Sequence, residues 1–241
     1  MKSEFSRRNF MRLLAGGGLA LATPNLLAAA LDELRGDRVG WARLKTKSPI
    51  WMRHAGSDPK LMQFFREKTT LNIDPTWYAA DVESLGEMVK YPFLFCQDLR
   101  PAQSRNARQN LVEYIRRGGF VLVDSCINPN TRDPYAETFS QQHAQLFTAL
   151  LPEAKVLQLN PDHELFRCSF DFPDGPPHTA VEPGWDRDPF YAVYIDRRLA
   201  AVISTSGLQC GWDGMRRLYG FDVTCMQMLV NIYVYSMMQG A

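Results

Sequence analysis

The side chains best placed for chemistry are those of Asp124 and Cys126, which follow the apolar run 120–123. A continuous apolar run of this length predicts a central parallel strand. In open α/β sheets, ligands bind beyond the carboxyl ends of such strands. There, Asp124 could serve as a general base or metal ligand, and Cys126 as a nucleophile or soft ligand. The structural alternative is that Asp124 caps the next turn and Cys126 packs as a small apolar side chain.

His163 is the third candidate catalytic residue. It follows Asp162 in the polar turn 160–163, beyond a predicted strand at 155–158. A hydrolase could combine His163 with Asp124 and Cys126, provided that they lie within hydrogen-bond reach of about 3 Å. The alternative is that Asp162 caps a short helical turn that begins at His163. A separation of more than about 6 Å from both partners would exclude the triad.

A second group of residues could bind a ligand without catalysis. Gln209 is followed by Trp212 and Asp213, which place an aromatic ring beside a carboxylate. Such pairs bind sugars or peptides by stacking and hydrogen bonding, although they also occur as packing at a rim. With Asp162, these three residues are the ligand-binding candidates. His143 lies on an apolar helical stripe, so we expect a hydrogen-bonded core histidine there.

The cysteines indicate neither a metal site nor a disulfide framework. Zinc sites have recognisable pairs such as Cys-x-x-Cys or His-x-x-x-His, and the sequence contains neither, so we expect no metal. No motif specifies a cofactor. The five cysteines are an odd number, so at least one is free or bonded between chains. Cys210 to Cys225 is the least implausible bridge by spacing, and the sequence leaves it open.

The charge of the chain is balanced overall but uneven along its length. The 241 residues have a formal net charge of +1, while residues 1–30 alone carry +3. The remainder is slightly acidic and lacks the basic surface that nucleic-acid binding requires. We therefore expect no nucleic-acid partner.

Residues 1–30 have the three zones of a secretory signal: a basic start, an apolar run at 11–22, and small residues at 28–30. The segment around Arg7, Arg8 and Phe10 resembles the twin-arginine export pattern. Glycines at 16–18 disfavour the alternative of a basic amphipathic helix belonging to the fold. The resemblance implies a periplasmic protein exported by the twin-arginine machinery. Since the apolar run is shorter than the roughly 20 residues of a spanning helix, membrane contact is expected only through an uncleaved signal.

Residues 31–241 read as one domain in which apolar runs alternate with amphipathic ones. That alternation is typical of an α/β sheet covered by helices on both faces. We expect strands at 40–44, 93–96, 120–123 and 155–158, and a hairpin over 192–203. Helices are predicted to begin at a capping Asp58 and near residues 103, 135 and 224.

Several segments in order resemble the bacterial family called domain of unknown function 4159 (DUF4159). They are 91–95, 111–126, 159–166, 196–200, 209–212 and 231–235. The resemblance implies a three-layer α/β sandwich with a mostly parallel sheet similar to the flavodoxins and class I glutamine amidotransferases, and it implies no settled activity. Those amidotransferases place a nucleophilic cysteine between glycines and pair it with a His-x-Glu motif. Cys126 lacks both features, so we expect no glutaminase activity.

These observations favour an exported ligand-binding or protein-interaction domain. The alternative is a hydrolase that uses Asp124, Cys126 and His163. Carbohydrate is the substrate class that the resemblance suggests for it, because trehalose-utilisation-like proteins share the related fold. A metalloprotein is a third alternative. The first two hypotheses rest on different residues, and the distances from His163 to Asp124 and Cys126 distinguish them.

Overall fold

The computed structural model describes residues 38–124, 134–177, 190–214 and 221–239. The predicted signal at 1–30 lies outside these residues. So does Cys126, one of the three candidate catalytic residues.

A seven-stranded, mostly parallel sheet forms the centre of this mixed α/β fold, with strand order β2-β1-β3-β4-β7-β6-β5. The first five strands of that order run parallel, and β6 and β5 continue the sheet antiparallel. The strands are β1 (Val39–Lys45), β2 (Ile73–Asp81), β3 (Phe93–Cys96), β4 (Phe120–Asp124), β5 (Lys155–Gln158), β6 (Tyr191–Ile195) and β7 (Arg198–Ser204).

Six α-helices are present in the described part of the chain. They are α1 (Asp58–Lys68), α2 (Leu85–Met88), α3 (Arg105–Arg116), α4 (Pro134–Leu150), α5 (Leu208–Trp212) and α6 (Phe221–Met238). Local capping fixes where they begin and end. For example, the side chain of Ser104 accepts a hydrogen bond from the Ala107 N–H at the start of α3, and Gly118 follows that helix with φ 101°. Both features are typical of helix termini.

Two buried clusters pack against opposite faces of the sheet, because strand side chains alternate. Phe93 and Phe95 belong to the cluster that contains residues of α1 and α6. Leu94 and Cys96 belong to the cluster that contains residues of α3 and α4. The carboxyl ends of β1, β3, β4 and β7 therefore lie side by side between two hydrophobic layers.

The hairpin predicted over 192–203 is confirmed, since β6 and β7 pair antiparallel. Its position in the sheet was not foreseen, because β7 also pairs in parallel with β4. The edge strand β2 was missed. It contains Pro75, which lacks a ladder donor and is tolerated mainly at sheet edges. The expectation that Asp58 caps α1 is wrong, because its carboxylate instead binds Trp41 and Arg43.

Gly119 precedes β4 at a close approach to a buried ring, which yields a stability prediction. A Cβ at this position would overlap the ring of Tyr114. That ring is fixed because its hydroxyl donates to the carbonyls of Tyr91 and Phe120 at 3.0 and 3.1 Å. We expect Gly119→Ala to lower the free energy of unfolding by about 1–3 kcal/mol, measured by urea denaturation.

Gly86 provides the matched control, because no atom lies within 4 Å of a Cβ built there. Gly86→Ala lies inside α2 and should leave stability unchanged or raise it slightly. Equal unfolding midpoints for the two alanine variants would contradict the predicted clash.

Candidate functional site

Polar side chains follow four neighbouring strands at their carboxyl ends, and we call this region the carboxyl edge. Thr46 follows β1, Gln97 follows β3, Asp124 ends β4 and Ser204 ends β7. All four residues are buried. Because parallel strands end together, residues from distant parts of the sequence meet here, as expected of a ligand-binding edge.

Asp124 anchors the start of α5 to the carboxyl edge by hydrogen bonds. Its carboxylate accepts hydrogen bonds from the Ser204 hydroxyl at 2.7 Å and from the N–H groups of Leu208 and Gln209 at 3.1 and 3.0 Å. Burial raises the pKa of Asp124 to about 6, although the hydrogen bonds from Gln209, Ser204 and Leu208 oppose that rise. Asp124 therefore holds the start of α5. The turn that directly follows Asp124, which the structural alternative expected it to cap, lies outside the described residues.

Gln209 joins α5 to two other elements. Its side-chain oxygen accepts a hydrogen bond from the Gln97 amide, and its own amide donates to the Arg53 carbonyl at 2.8 Å. Arg53 lies in the β1–α1 loop, residues 46–57. This candidate ligand residue thus links the loop, α5 and the end of β3.

A buried ion pair anchors the β1–α1 loop. Arg43 in β1 contacts both carboxylate oxygens of Asp58 at 2.6 Å, and both side chains are 0% exposed. Arg43 also donates to the carbonyls of Trp51 and Arg53 at 2.9 and 3.0 Å. The sequence analysis missed this pair. The available signal was an arginine inside an otherwise apolar strand, since a buried charge requires a partner.

His54 and Asp213 form a second contact between the β1–α1 loop and α5. The His54 Nδ1 lies 2.8 Å from the Asp213 carboxylate, and each side chain is 19% exposed. His54 has φ 58°, which is uncommon for a residue other than glycine. Asp213 was a ligand candidate from the sequence, whereas His54 had no predicted partner.

Some buried polar atoms at the edge have no hydrogen-bond partner among the described residues. They are Thr46 Oγ1, Gln97 Oε1 and the indole nitrogen of Trp212. Such atoms are uncommon in folded proteins, and each costs about 1–3 kcal/mol when it is left unbonded. They are buried hydrogen-bonding atoms whose partners are not among the described residues.

The remaining ligand candidates do not join this site as predicted. Trp212 is fully buried and packs against Trp41 and Phe95, with ring centroids 6.0 and 5.4 Å away. It is a core residue and presents no free ring to a sugar. Asp162 is exposed and pairs with Arg167 at 3.0 Å.

The structure does not bring His163 to Asp124. His163 itself caps the short helical turn Glu164–Phe166, because its Nδ1 accepts from the Leu165 N–H at 3.1 Å. Its Nε2 lies 2.9 Å from the Tyr194 hydroxyl. Burial lowers the pKa of His163.

The register of the sheet gives the reason for this separation. Tyr194 pairs with Leu199 in β7, whereas Asp124 pairs with Ser204 at the other end of the same strand. Five residues of strand span roughly 16 Å. Asp124 and His163 therefore lie towards opposite ends of the sheet. Cys126, the third residue of the predicted triad, lies outside the described residues.

His143 is the expected core histidine. It is fully buried, its Nδ1 lies 2.9 Å from the Phe139 carbonyl, and its Nε2 accepts from the Leu99 N–H at 3.2 Å. Both ring nitrogens are therefore used within the core, and the prediction is confirmed.

The structure decides the Cys210–Cys225 bridge that the sequence left open. Cys210 is disulfide-bonded, whereas Cys96, Cys168 and Cys225 are free thiols, so the Cys210–Cys225 pairing is wrong. Burial raises the pKa of Cys96 and Cys225 far above the ordinary thiol value. These two thiols are therefore poor nucleophiles, because only the thiolate reacts readily.

The Cys210 disulfide should stabilise the fold. We expect Cys210→Ser to lower the free energy of unfolding by about 2–4 kcal/mol in urea without reductant. Cys168→Ser is the control and should change little. Peptide mapping should link Cys210 to a cysteine other than Cys96, Cys168 or Cys225. An unchanged midpoint for Cys210→Ser would contradict a stabilising disulfide.

The family described as Domain of unknown function (DUF4159) matches residues 41–237. The chain belongs to the DUF4159 family. No curated protein matches it. The match runs from β1 into α6, so the DUF4159 domain includes the whole carboxyl edge.

Metal-ligating side chains and apolar helices are two further features of the described part of this DUF4159 domain. No group of three or more histidine, cysteine, aspartate or glutamate side chains there could hold a metal ion. No helix in those ranges is long and apolar enough to cross a membrane. Among the described residues, the edge offers hydrogen-bonding groups and one partly buried His–Asp pair.

Proposed function

We propose that this DUF4159 chain is an exported, periplasmic domain that binds a neutral polar ligand at the carboxyl edge and has no glutaminase activity. One observation carries the proposal. Thr46 Oγ1 and Gln97 Oε1 are buried at that edge without a hydrogen-bond partner among the described residues. A ligand that bonds to both atoms would remove a cost of about 1–3 kcal/mol for each.

The charges around these atoms favour a neutral ligand. Arg43 is neutralised by Asp58, His54 faces Asp213, and the Asp124 carboxylate is bound by N–H and hydroxyl donors. A charged ligand would therefore lose its hydration shell on binding, and none of these charged side chains would be unpaired and able to offset that cost. Sugar hydroxyls and peptide amides are neutral hydrogen-bonding groups, so they suit Thr46 Oγ1 and Gln97 Oε1 better than charged groups do.

The fold proposed for the domain is a three-layer sandwich similar to that of the class I glutamine amidotransferases. Helices from two clusters on opposite faces of a mostly parallel sheet support it. Glutaminase chemistry is not part of the proposal, because Cys126 lacks flanking glycines in the sequence. The Asp124 carboxylate also already accepts hydrogen bonds from Ser204, Leu208 and Gln209, which supports leaving glutaminase chemistry out of the proposal.

Export is supported by the sequence around Arg7 and Arg8 and by the disulfide at Cys210. Stable disulfides are typical of oxidising compartments such as the bacterial periplasm. Fractionation of cells that express the full chain should place it in the periplasm. The variant with both Arg7→Lys and Arg8→Lys should remain in the cytoplasm, and equal periplasmic amounts would contradict twin-arginine export.

Thermal-shift measurements test the ligand proposal. The probes are maltose, trehalose, N-acetylglucosamine, dialanine, L-glutamine and AMP, each added at increasing concentration. A probe at 100 times its dissociation constant stabilises the folded state by about 2.7 kcal/mol. We expect a sugar or the dipeptide to raise Tm, AMP to have no effect, and glutamine to release no ammonia.

Matched variants locate the site. Thr46→Val keeps the shape of the side chain but removes its hydroxyl, and it should abolish most of the shift. Thr148→Val is the control, because Thr148 is exposed on α4 and bonds only locally, to the Ala144 carbonyl. A flat response to all six probes would overturn the small-ligand proposal and favour a protein partner.

A further inference from the structure

Both ring nitrogens of His163 have a defined hydrogen-bonding role. Nδ1 accepts from the Leu165 N–H at 3.1 Å. Because a backbone N–H can only donate, Nδ1 holds a lone pair, and the proton of the neutral ring is on Nε2. The Nε2–H then donates to the Tyr194 hydroxyl oxygen, 2.9 Å away. The two bonds together specify one neutral tautomer of His163.

The His163 ring joins three elements. It caps the turn Glu164–Phe166, bonds to β6 through Tyr194 and meets the ring of Tyr235 in α6, with centroids 5.2 Å apart and planes at 67°. The capped turn places Leu165 and Phe166 in the core, where both are 0% exposed. The neutral ring therefore holds a turn that carries two buried apolar side chains.

The segment 160–169, which contains this turn, is anchored at both ends by bonds that do not involve His163. Before it, the Leu159 N–H donates to the Phe190 carbonyl at 2.8 Å. After it, the Asn231 side chain in α6 accepts from the Phe170 N–H at 2.8 Å and donates to the Phe170 carbonyl at 2.7 Å. None of these groups titrates near neutral pH. A change of charge on His163 therefore acts on the segment between the two anchors.

A protonated His163 cannot keep the cap. The imidazolium carries a proton on each nitrogen and accepts no hydrogen bond. Its Nδ1–H would point at the Leu165 N–H, so two donors would face each other. Loss of an N-terminal cap changes a folding equilibrium by about 2- to 30-fold. We therefore expect an opening of the turn that depends on protonation.

The titratable groups next to the ring favour its neutral form. Burial lowers the pKa of His163, and the charge of Glu164 opposes that change. Tyr194 and Tyr235 stay uncharged around neutral pH, because burial raises the pKa of both hydroxyls. The charged side chains of the neighbouring residues are exposed, so water screens them. They are Lys155, Asp162, Arg167 and Asp171.

We propose that His163 is a pH-sensitive latch: the neutral ring holds the segment 160–169 closed, and the protonated ring releases it and exposes Leu165 and Phe166. The latch is independent of the proposed ligand site, because His163 and Asp124 lie towards opposite ends of the sheet.

The sign of the effect follows from the two states of the ring. In the open segment His163 is solvated and has the ordinary histidine pKa of about 6.5, whereas burial lowers its pKa in the closed segment. The open segment therefore binds a proton more readily. The contribution of His163 to the closed state is complete above about pH 6.5 and is lost as the pH falls below that value.

Hydrogen–deuterium exchange of the full chain at pH 7 and pH 5 tests the latch, with rates corrected for the intrinsic effect of pH on exchange. We expect the segment 160–169 to open about 2- to 30-fold more at pH 5. Helix α3 is the internal control, because it packs on the other face of the sheet. An equal increase in α3 would indicate general loss of stability and would overturn a local latch.

Two histidine variants separate the latch from other acid effects. His163→Asn keeps a side-chain oxygen that can cap the turn but does not titrate, so exchange of the segment should become independent of pH. His54→Asn is the matched control and should keep the wild-type increase, because His54 lies in the β1–α1 loop. A wild-type increase in His163→Asn would overturn the proposal.

Nitrogen-15 NMR of the wild-type chain tests the same proposal without any substitution. At pH 7 the proton of the His163 ring should be on Nε2, and the ring should titrate below the ordinary histidine pKa of about 6.5. A proton on Nδ1, or titration above that value, would overturn the latch even if a variant failed to fold.

Discussion

Replacing Asp58 with alanine should lower the free energy of unfolding by about 3–5 kcal/mol, because it leaves the Arg43 guanidinium buried without its counter-ion. Arg43 and Asp58 are both 0% exposed. The guanidinium also lies over the rings of Trp77 and Phe95, 5.8 and 5.2 Å from their centroids, where water cannot replace the lost carboxylate. Urea denaturation followed by circular dichroism measures the change.

Two variants serve as controls for this prediction. Lys60→Met breaks the exposed ion pair with Asp222 and should cost no more than about 1 kcal/mol. The double variant Arg43→Met with Asp58→Leu removes both buried charges and should recover most of the loss. A double variant as unstable as Asp58→Ala would show that the hydrogen bonds to Trp51, Arg53 and Trp41, and not the unpaired charge, dominate.

The pH dependence of stability should identify Asp124. Its pKa is about 6 in the folded chain because of burial, against about 3.9 when unfolded. The folded state thus takes up a proton at higher pH than the unfolded chain does. The contribution of Asp124 to stability therefore increases as pH falls from about 7 to about 4, by roughly 3 kcal/mol at about 1.4 kcal/mol per pH unit.

Asp124→Asn should remove this contribution. The amide oxygen of asparagine can still accept from Ser204 and Leu208, but its NH₂ group cannot accept from the Gln209 N–H. We expect a loss of about 1–3 kcal/mol at pH 7. The loss should grow as the pH is lowered towards 4, since only the wild type gains the protonation energy.

The quantity to measure is the difference in free energy of unfolding between wild type and Asp124→Asn, because other carboxyl groups lower the stability as the pH falls. Lys60, for example, lowers the pKa of Asp222, so Asp222 contributes less as the pH falls. Asp162→Asn is the matched control, because Asp162 is exposed and pairs with Arg167. A wild-type-minus-variant difference that stays constant from pH 7 to pH 4 would contradict the raised pKa of Asp124.

The strands show where sequence reasoning is sufficient. The apolar run 93–96 and the segment 155–158 were predicted with the bounds that β3 and β5 have. Their pattern is local, and turn residues flank them. β2 was missed because Asp74 and Pro75 interrupt its apolar pattern. Its existence depends on pairing with β1 across residues that no local window contains.

The candidate site shows where sequence reasoning is not sufficient. Asp124 was identified because it ends a buried strand, but its bonds to Ser204, Leu208 and Gln209 were not predicted, because these partners are 80 or more positions away in the sequence. His163 was attractive because it follows a strand in a polar turn. However, β5 is separated from β4 by β6 and β7, and no sequence pattern fixes that order.

The sequence by itself determined the family of this chain, most of its strands and helices, the export expectation and the prominence of Asp124. These depend on residue type and short-range periodicity, which the linear chain contains. Only the tertiary structure decided that Arg43 is neutralised by Asp58, that His54 faces Asp213, and that His163 lies apart from Asp124. Each depends on which elements become neighbours, because long-range packing brings together residues far apart in the sequence, such as His54 and Asp213, which are 159 positions apart and 2.8 Å from each other.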